Sequence, residues 1–364
     1  MSQTPLIASD EALNPLLHTW STRPWLALDT EFVRVDTYYP KLCLVQVGDG
    51  QHSVCIDTLA LRDLTPLLDL LKRPDLLKVF HAASQDLEIL VQLGGSCPAP
   101  LFDTQLAATL LGLGDQIGYA ALVEKQLGIV LDKSLTRTDW SRRPLTAPEL
   151  AYAAADVEHL AVLYPMLRDA LAQAGRLAWL EEDCARAANG SHYITEPADA
   201  WRRLKGLARL NPQAQTAAAA LAAWREQRAQ SHNRPRKWII EDDAIYRMAE
   251  RLPRNLAELG ALTILPPRTL ARHGESLLAA LDAARAAPAV ALTHDERLAS
   301  ELKARVQKLQ ERLRAIATTH DIPASLLAPR ADLEALVLQG AQAGIPLLEG
   351  WRREIAGREL LELL

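Results

Sequence analysis

The sequence contains few cysteines, and none of them falls in a pattern that builds a site. Of its 364 residues four are cysteines, and no two form a Cys-x-x-Cys pair or a Cys/His cluster: Cys43, Cys55, Cys97 and Cys184. This spacing indicates neither a disulfide framework nor a structural zinc site. We therefore expect buried free thiols.

Long apolar runs are also lacking, and none approaches the length needed to span a membrane. The first ten residues lack a basic segment followed by a long apolar stretch, so they do not resemble a secretory signal. Hydrophobic residues nevertheless make up 49% of the chain and charged residues 23%, the balance of a globular protein. We expect a cytoplasmic protein of two or three domains without a membrane partner.

Basic charge is scarce outside the middle of the chain. Residues 1–200 carry 15 basic and 26 acidic side chains, residues 201–290 carry 15 and 8, and residues 291–364 carry 10 and 11. The net charge of −5 therefore conceals an acidic first part and a basic middle. This asymmetry predicts a metal-using catalytic domain joined to a segment that binds a polyanion.

Strands and helices alternate along the first half of the chain, which predicts an α/β domain. The patterns place strands over 25–32, 41–48, 50–57 and 76–80, and helices over 11–20, 65–72, 103–111, 119–127 and 147–172. Gly48-Asp-Gly50, between two of the strands, predicts an antiparallel hairpin. We therefore expect a mixed sheet flanked by helices.

The first predicted strand carries two acidic side chains. Asp29 and Glu31 are separated by one residue, so both point to the same side of an extended chain. Two such carboxylates repel each other and resist ionisation unless a cation lies between them. Taken alone, the pair is explained equally well by a solvated strand end and by a site for a divalent metal ion.

Further acidic residues follow at suitable places. Ser84 is predicted to cap a helix with Asp86 in its first turn, although the helix dipole also favours a carboxylate there. A capping box at 146–149 begins a long helix, on which Tyr152 and Asp156 share a face. These two side chains are either a core pair or the remainder of one site with the earlier acids.

Together these residues resemble a known family. Asp-x-Glu on a strand, a helical Asp after Phe80-His-Ala-Ala-Ser-Gln-Asp86, and Tyr-x-x-x-Asp on a helix resemble the three motifs of the DEDD 3′→5′ exonucleases. Position 151 is Ala, where the histidine branch has His, so the resemblance is to the tyrosine branch. Asp132-Lys-Ser134 and Asp139-Trp-Ser-Arg-Arg-Pro-Leu145 make residues 20–175 similar to the ribonuclease D family.

That resemblance implies an RNase H-like exonuclease domain that uses two divalent metal ions, Mg²⁺ or Mn²⁺, and no organic cofactor. In it Asp29 would bridge the ions, Glu31 and Asp156 would hold the one that activates water, and Asp86 would support the other, partly through water. Tyr152 would orient the attacking water, because a phenol is a poor base near neutral pH. Two metal ions stabilise both oxygens of an in-line displacement, and the products would be 5′-mononucleotides.

The second half of the chain is alanine-rich and helical after a linker predicted around 181–200. Gly274-Glu-Ser-Leu-Leu278 recurs later as Gly357-Arg-Glu-Leu-Leu361, which predicts two small all-α bundles. Both resemble the HRDC (helicase and RNase D C-terminal) domain, the second only faintly. The expected domains are an exonuclease domain over 1–190, an HRDC domain over 205–290 and an HRDC-like domain over 291–364.

A basic cluster with one tryptophan lies in the first of these bundles and is a candidate RNA contact: Arg228, Arg234, Arg236, Lys237 and Trp238. Base stacking and burial in the core explain Trp238 equally well. The corresponding stretch of the second bundle, 321–325, lacks the basic run, so we expect only the first bundle to bind RNA. The loop 33–40, with Tyr38 and Tyr39, either stacks on terminal nucleotides or packs under the helices.

The predicted function is a monomeric, metal-dependent 3′→5′ exoribonuclease that trims structured RNA such as tRNA precursors. A DNA exonuclease of the proofreading or Werner type shares the fold, and no recognisable feature reads the 2′-hydroxyl, but no polymerase or helicase domain is attached and the paired HRDC-like repeats favour the ribonuclease D family. An RNA-binding module without catalysis is the second alternative. Four converging acids argue against it, because they repel phosphate.

Overall fold

A computed structural model describes residues 4–132, 134–135, 138–290 and 300–364. Lys133 of the Asp132-Lys-Ser134 motif and residues 291–299 of the predicted second bundle lie outside these ranges. By its contacts the described chain divides into two compact units. The first comprises residues 4–33, 42–193 and 300–364, and the second comprises residues 34–41 and 194–290.

The first unit is built on a six-stranded sheet. Its strands are β1 (Leu6–Ile7), β2 (Trp25–Val33), β3 (Lys41–Gly48), β4 (Ser53–Asp57), β5 (Leu77–Phe80) and β6 (Leu101–Asp103). They lie in the order β1-β4-β3-β2-β5-β6. β4 is parallel to β1 and antiparallel to β3, and β5 is parallel to β2 and β6. The predicted mixed sheet and hairpin are confirmed, whereas β1 and β6 are too short to show a sequence pattern.

The helices that accompany the sheet in this unit are α1 (Asp10–Trp20), α2 (Thr65–Leu71), α3 (Ser84–Gly94), α4 (Thr104–Leu110), α5 (Tyr119–Leu127), α6 (Ala147–Gln173) and α7 (Leu177–Ala187). The longest, α6, contacts β2 and β4 and begins at the predicted capping box. Ser84 is the first residue of α3 rather than its cap, because Ala83 takes the cap position without a side-chain hydrogen bond. Helix α7 occupies the first part of the predicted linker.

The second unit is helical, as predicted for the first bundle. It contains α8 (Pro212–Ser231), α9 (Arg236–Ile239), α10 (Asp242–Arg251), α11 (Leu256–Ala261) and α12 (Pro267–Ala286). Helix α8 packs against α10 and α12. Gly274 lets α12 approach α11 closely, since a Cβ at this position would lie only 2.6 Å from Cδ2 of Leu256.

The C-terminal helices belong to the first unit and share its core. They are α13 (Ser300–Thr319), α14 (Ala324–Leu327), α15 (Arg330–Gln339), α16 (Gly350–Arg352) and α17 (Arg358–Glu362), with a π-helical turn at Arg353–Gly357. Leu309, Leu336 and Leu360 are buried in the same hydrophobic cluster as Val79 of β5. A Cβ at Gly357 would overlap the carbonyl oxygen of Leu347, so both glycines of the sequence repeat lie where two segments come close. Within the described ranges every helix is too short or too polar to cross a bilayer.

Candidate active site

Strand β2 and helix α6 bring three of the predicted acids together. Asp29 and Glu31 lie on the α6 side of β2, as does Trp25, whose ring centroid is 5.0 Å from that of Tyr164 on α6. Asp156 extends from α6. One carboxylate oxygen of each acid lies within 4.8 Å of the others. Strand alternation and the helical position of Asp156 therefore converge on one group of carboxylates.

Asp86 lies beside this group, in the first turn of α3. Its Oδ1 accepts a hydrogen bond from the hydroxyl of Thr30 at 2.5 Å. Thr30 stands between Asp29 and Glu31 on β2, so the strand that carries two of the acids also fixes the position of a third. Burial raises the pKa of the Asp86 carboxyl well above its ordinary value, and the charge of Asp29 raises it further.

Burial also disfavours the charged forms of the other acids. It raises the pKa of Asp29 to about 6 and, with the charge of Asp29, the pKa of Asp156 to about 8. Burial and then the charges of Asp29, Asp156 and Asp86 raise the pKa of Glu31 to about 9. A divalent cation would relieve this repulsion, and carboxylate oxygens are the ligands that Mg²⁺ and Mn²⁺ prefer. The residues present therefore fit the metal that the sequence predicts.

The loop that precedes α6 holds Tyr152 in place. The ring of Tyr152 stacks near that of buried Trp140, with centroids 6.3 Å apart and planes 28° apart. Arg143, three residues after Trp140, donates to both carboxylate oxygens of Asp57 on β4 at 2.7 Å. The segment that resembles ribonuclease D thus packs against the ring of Tyr152 and is itself tied to β4.

A cavity of about 640 Å³ lies over these residues. Two of the acids and Tyr152 line it, together with His81 and Tyr119. The hydroxyl of Tyr119 donates to the backbone carbonyl of Asp156, and Nδ1 of His81 lies 3.0 Å from Oγ1 of Thr104. Tyr119 is absent from the predicted site because only the folded chain brings α5 to α6; its sequence neighbours give no signal.

The predicted RNA-contact cluster divides into two parts. Nε and Nη2 of Arg236 each donate to Glu226 at 2.6 Å, and Nη2 also donates to the hydroxyl of Tyr38 at 2.9 Å. The Glu226 side chain is only 1% exposed, so Arg236 belongs to an internal ion pair. Trp238, by contrast, is 58% exposed and has the Arg234 guanidinium 5.6 Å from its ring. Trp238 is therefore a surface residue rather than a core residue.

The loop at 34–41 packs against the helices of the second unit. The hydroxyl of Tyr38 donates to Glu226 and accepts from Gln230 at 3.3 Å. The backbone N–H of Tyr39 donates to Oδ1 of Asn233 at 2.9 Å. Of the two roles that the sequence leaves open for this loop, the structure shows packing.

We expect the metal-free protein to lose stability as the pH rises from about 5 to about 9. Glu31 has an ordinary pKa of 4.5 and a folded value of about 9, so the folded state binds the extra proton throughout this window. Protonated Glu31 makes its full contribution to stability below its ordinary pKa of 4.5. This contribution is lost as the pH rises through the folded-state pKa of about 9. Thermal unfolding scanned against pH in EDTA and in Mn²⁺ tests this, and the increase in Tm caused by Mn²⁺ should grow with pH.

Asp156→Asn is the control for this pH dependence, because it removes one repelling acid and should flatten the EDTA curve. The same slope of Tm against pH with and without Mn²⁺ would contradict the expectation.

Comparisons with known proteins identify the family of the chain. Residues 6–172 match the family model of the 3′-5′ exonuclease domain, and residues 214–281 match that of the HRDC domain. Ribonuclease D of Pseudomonas paraeruginosa is 42% identical over 98% of this chain and 96% of its own length. Ribonuclease D of Zymomonas mobilis is 40% identical over 99% of this chain and 94% of its own length.

Among solved structures, that of Escherichia coli RNase D is similar over 99% of this chain and 98% of its own, with a TM-score of 0.90 and 32% identity. The catalytic core of RRP6 from Trypanosoma brucei, with a TM-score of 0.57 and 21% identity over 79% of this chain and 81% of its own, shares the fold. The resemblance found in the motifs is thus confirmed over the whole length of the chain. The chain belongs to the ribonuclease D family of 3′→5′ exoribonucleases.

Proposed function

We propose that this exoribonuclease depends on divalent metal ions and trims the 3′ ends of structured RNA, tRNA precursors among them, releasing 5′-mononucleotides. The observation that carries the proposal is the approach of one carboxylate oxygen each of Asp29, Glu31 and Asp156 to within 4.8 Å of one another, beside a cavity of about 640 Å³ that Asp29 and Asp156 line. The similar Escherichia coli enzyme is described as an exoribonuclease involved in structured RNA processing, which supports the substrate class.

In the proposed site Asp29, Glu31 and Asp156 would hold one cation, while Asp29 and Asp86 would hold a second. When bound, the two cations supply a nucleophilic water at neutral pH and stabilise charge on both oxygens of the in-line displacement. The chain itself holds Asp86 through the hydroxyl of Thr30 and places Tyr152 on the same face of α6 as Asp156, where its phenol would orient the attacking water.

Digestion of a 5′-labelled single-stranded RNA and of the matching DNA tests this function. In Mg²⁺ or Mn²⁺ the RNA should shorten stepwise from its 3′ end, and EDTA should stop the reaction. A tRNA precursor with a 3′ extension should shorten as well. Equal shortening of the DNA would favour a DNA exonuclease, and RNA that is bound but never shortened would leave only a binding module.

Tyr152→Phe is expected to lower kcat by about 10²-fold, because the variant keeps the ring beside Trp140 but loses the hydroxyl that orients water. RNA affinity measured in EDTA should not change. Tyr193→Phe is the matched control, since its hydroxyl donates to the carbonyl of Ala187 outside the cavity. Full activity of Tyr152→Phe would remove the phenol from the mechanism.

For RNA contact we propose the exposed part of the basic cluster: Arg234, Lys237 and Trp238. Arg236 binds Glu226 and therefore has an internal role, and Arg228 is half-buried with its guanidinium 5.9 Å from the ring of Trp224, so we leave these two arginines out of the proposed contact. The exposed residues offer an aromatic face for a base and cations for phosphates, a combination suited to single-stranded RNA.

The double variant Lys237→Glu with Trp238→Ala is expected to weaken RNA binding by roughly tenfold or more, since one base stack contributes about 1–3 kcal/mol. The slope of log affinity against log salt concentration should decrease in magnitude by about one, the contribution of one phosphate contact. Lys308→Glu, the same charge change on α13, serves as the control. If both variants bind RNA alike at every salt concentration, this surface does not contact the substrate.

A further inference from the structure

Gln46 on β3 is completely buried, and within the described part of the chain neither its Oε1 nor its Nε2 has a hydrogen-bond partner. Buried amides are nearly always paired, because they have given up their hydrogen bonds to water. Lys78, which is equally buried, shows the usual arrangement: its Nζ donates to the carbonyls of Leu76 and Arg73 at 2.6 and 2.9 Å. The amide of Gln46 therefore requires an explanation.

The side chain of Gln46 lies on the face of the sheet that α6 covers. Its partner in register is Cys55 of β4, whose Sγ lies 3.7 Å from the carbonyl oxygen of Leu150 on α6. Two residues further along β3, a Cβ at Gly48 would lie 3.0 Å from the carbonyl oxygen of Val157, also on α6. Because side chains alternate along a strand, Gln46 points in the same direction as Gly48.

The proposed metal ligands occupy this same layer. Asp29 and Glu31 lie on the α6 side of β2, which is the neighbour of β3 in the sheet, and Asp156 comes from α6. Burial raises the pKa of Cys55, and the charges of Glu158, Asp156 and the β2 acids raise it further. The charges of these acids thus affect Cys55 on β4. The strand of Gln46, β3, lies between β4 and β2 and is therefore closer to the β2 acids.

We propose that Gln46 is a positioning residue for the metal site, and that its two amide N–H groups donate to the β2 carboxylates when the site holds a cation. The inference rests on the carboxylate site proposed above. Metal-binding carboxylates are oriented by hydrogen-bond donors that do not touch the metal. Gln46 is a neutral hydrogen-bond donor. It can therefore orient two carboxylates without competing with the cation for them.

Gln46→Met tests the proposal, because it keeps a side chain of similar length and removes the amide. Mn²⁺ binding to the full chain, measured by titration calorimetry without RNA, should weaken about tenfold or more. The Tm in EDTA should stay equal or rise, since an unpaired buried amide is replaced by an apolar group. Gln46→Asn moves the amide back by one methylene and should show the same loss of Mn²⁺ affinity. It therefore tests the proposal even if Gln46→Met fails to fold.

Val45→Ala is the matched control, because Val45 precedes Gln46 on β3 and points to the opposite face. It should lower the Tm in EDTA and leave Mn²⁺ affinity unchanged. Unchanged Mn²⁺ affinity in both Gln46 variants overturns the proposal, and so does weaker binding that Val45→Ala reproduces. Asp29→Asn separates this inference from the proposed function: if that variant binds Mn²⁺ as the wild type does, the metal site itself is misplaced.

Discussion

Asp29→Asn is expected to lower kcat on RNA by about 10³-fold. Removing one group that stabilises charge in a transition state typically has an effect of this size. Asp29 is the acid shared by both proposed cation sites, and its charge raises the pKa of Glu31, Asp86 and Asp156. The asparagine has nearly the same shape but cannot supply the anionic ligand. Both cations therefore lose a ligand at once.

Two further measurements keep this result interpretable. The metal-free Asp29→Asn variant should be at least as stable as the wild type, because one of the buried repelling carboxylates has been removed. Asp169→Asn, an exposed acid on the same helix as Asp156, should keep full activity. A wild-type rate for Asp29→Asn in Mg²⁺ is the outcome that the proposed mechanism does not allow.

Asp183→Ala is expected to lower the free energy of unfolding by about 3–5 kcal/mol, the usual effect of leaving a buried charge without its partner. Asp183 on α7 accepts from both terminal nitrogens of Arg352 and from Nε1 of Trp351 at 3.3 Å. The side chains of Asp183 and Arg352 are only 5% and 8% exposed. Trp351 also stacks on Trp179 with ring centroids 4.6 Å apart.

Chemical unfolding of the full chain measures this effect. Glu354→Ala provides the comparison, because its ion pair with Arg358 is 56% and 63% exposed and should contribute no more than about 0.5 kcal/mol. If Asp183→Ala and Glu354→Ala lower the free energy of unfolding by similar small amounts, the buried ion pair does not stabilise the packing of the C-terminal helices against α7.

This pair also bears on the predicted second bundle at 291–364. Its described residues share a hydrophobic cluster with the sheet and group with the catalytic part of the chain. The boundaries of the predicted domains remain a prediction. The sequence does not indicate such an attachment, because Asp183 and Arg352 look like ordinary surface charges until their burial is known.

The acids of β2 and α6 can be predicted from the sequence, because local geometry fixes the face on which each side chain lies. Alternation puts Asp29 and Glu31 on one face of a strand whatever the fold, and a four-residue spacing does the same for Tyr152 and Asp156 on a helix. The capping box that begins α6 is equally local. Once strand and helix are packed together, these side chains meet without further information.

Features that depend on distant partners are not predictable in this way. Thr30 contacts Asp86 across 56 positions of sequence, and the strand pattern marks it only as a small buried residue. Arg236 resembles an RNA contact by charge, and only the buried carboxylate of Glu226 and the phenol of Tyr38 show its internal role. Gln46 likewise looks like an ordinary strand residue until its burial and unpaired amide are known.

The proposed site places two divalent cations among four carboxylates, and anomalous diffraction from a crystal of the full chain grown in Mn²⁺ tests this most directly. Data collected at the manganese absorption edge should show two peaks, one among Asp29, Glu31 and Asp156 and one between Asp29 and Asp86. The absence of both peaks at saturating Mn²⁺, or peaks that avoid these four residues, would contradict the two-metal site.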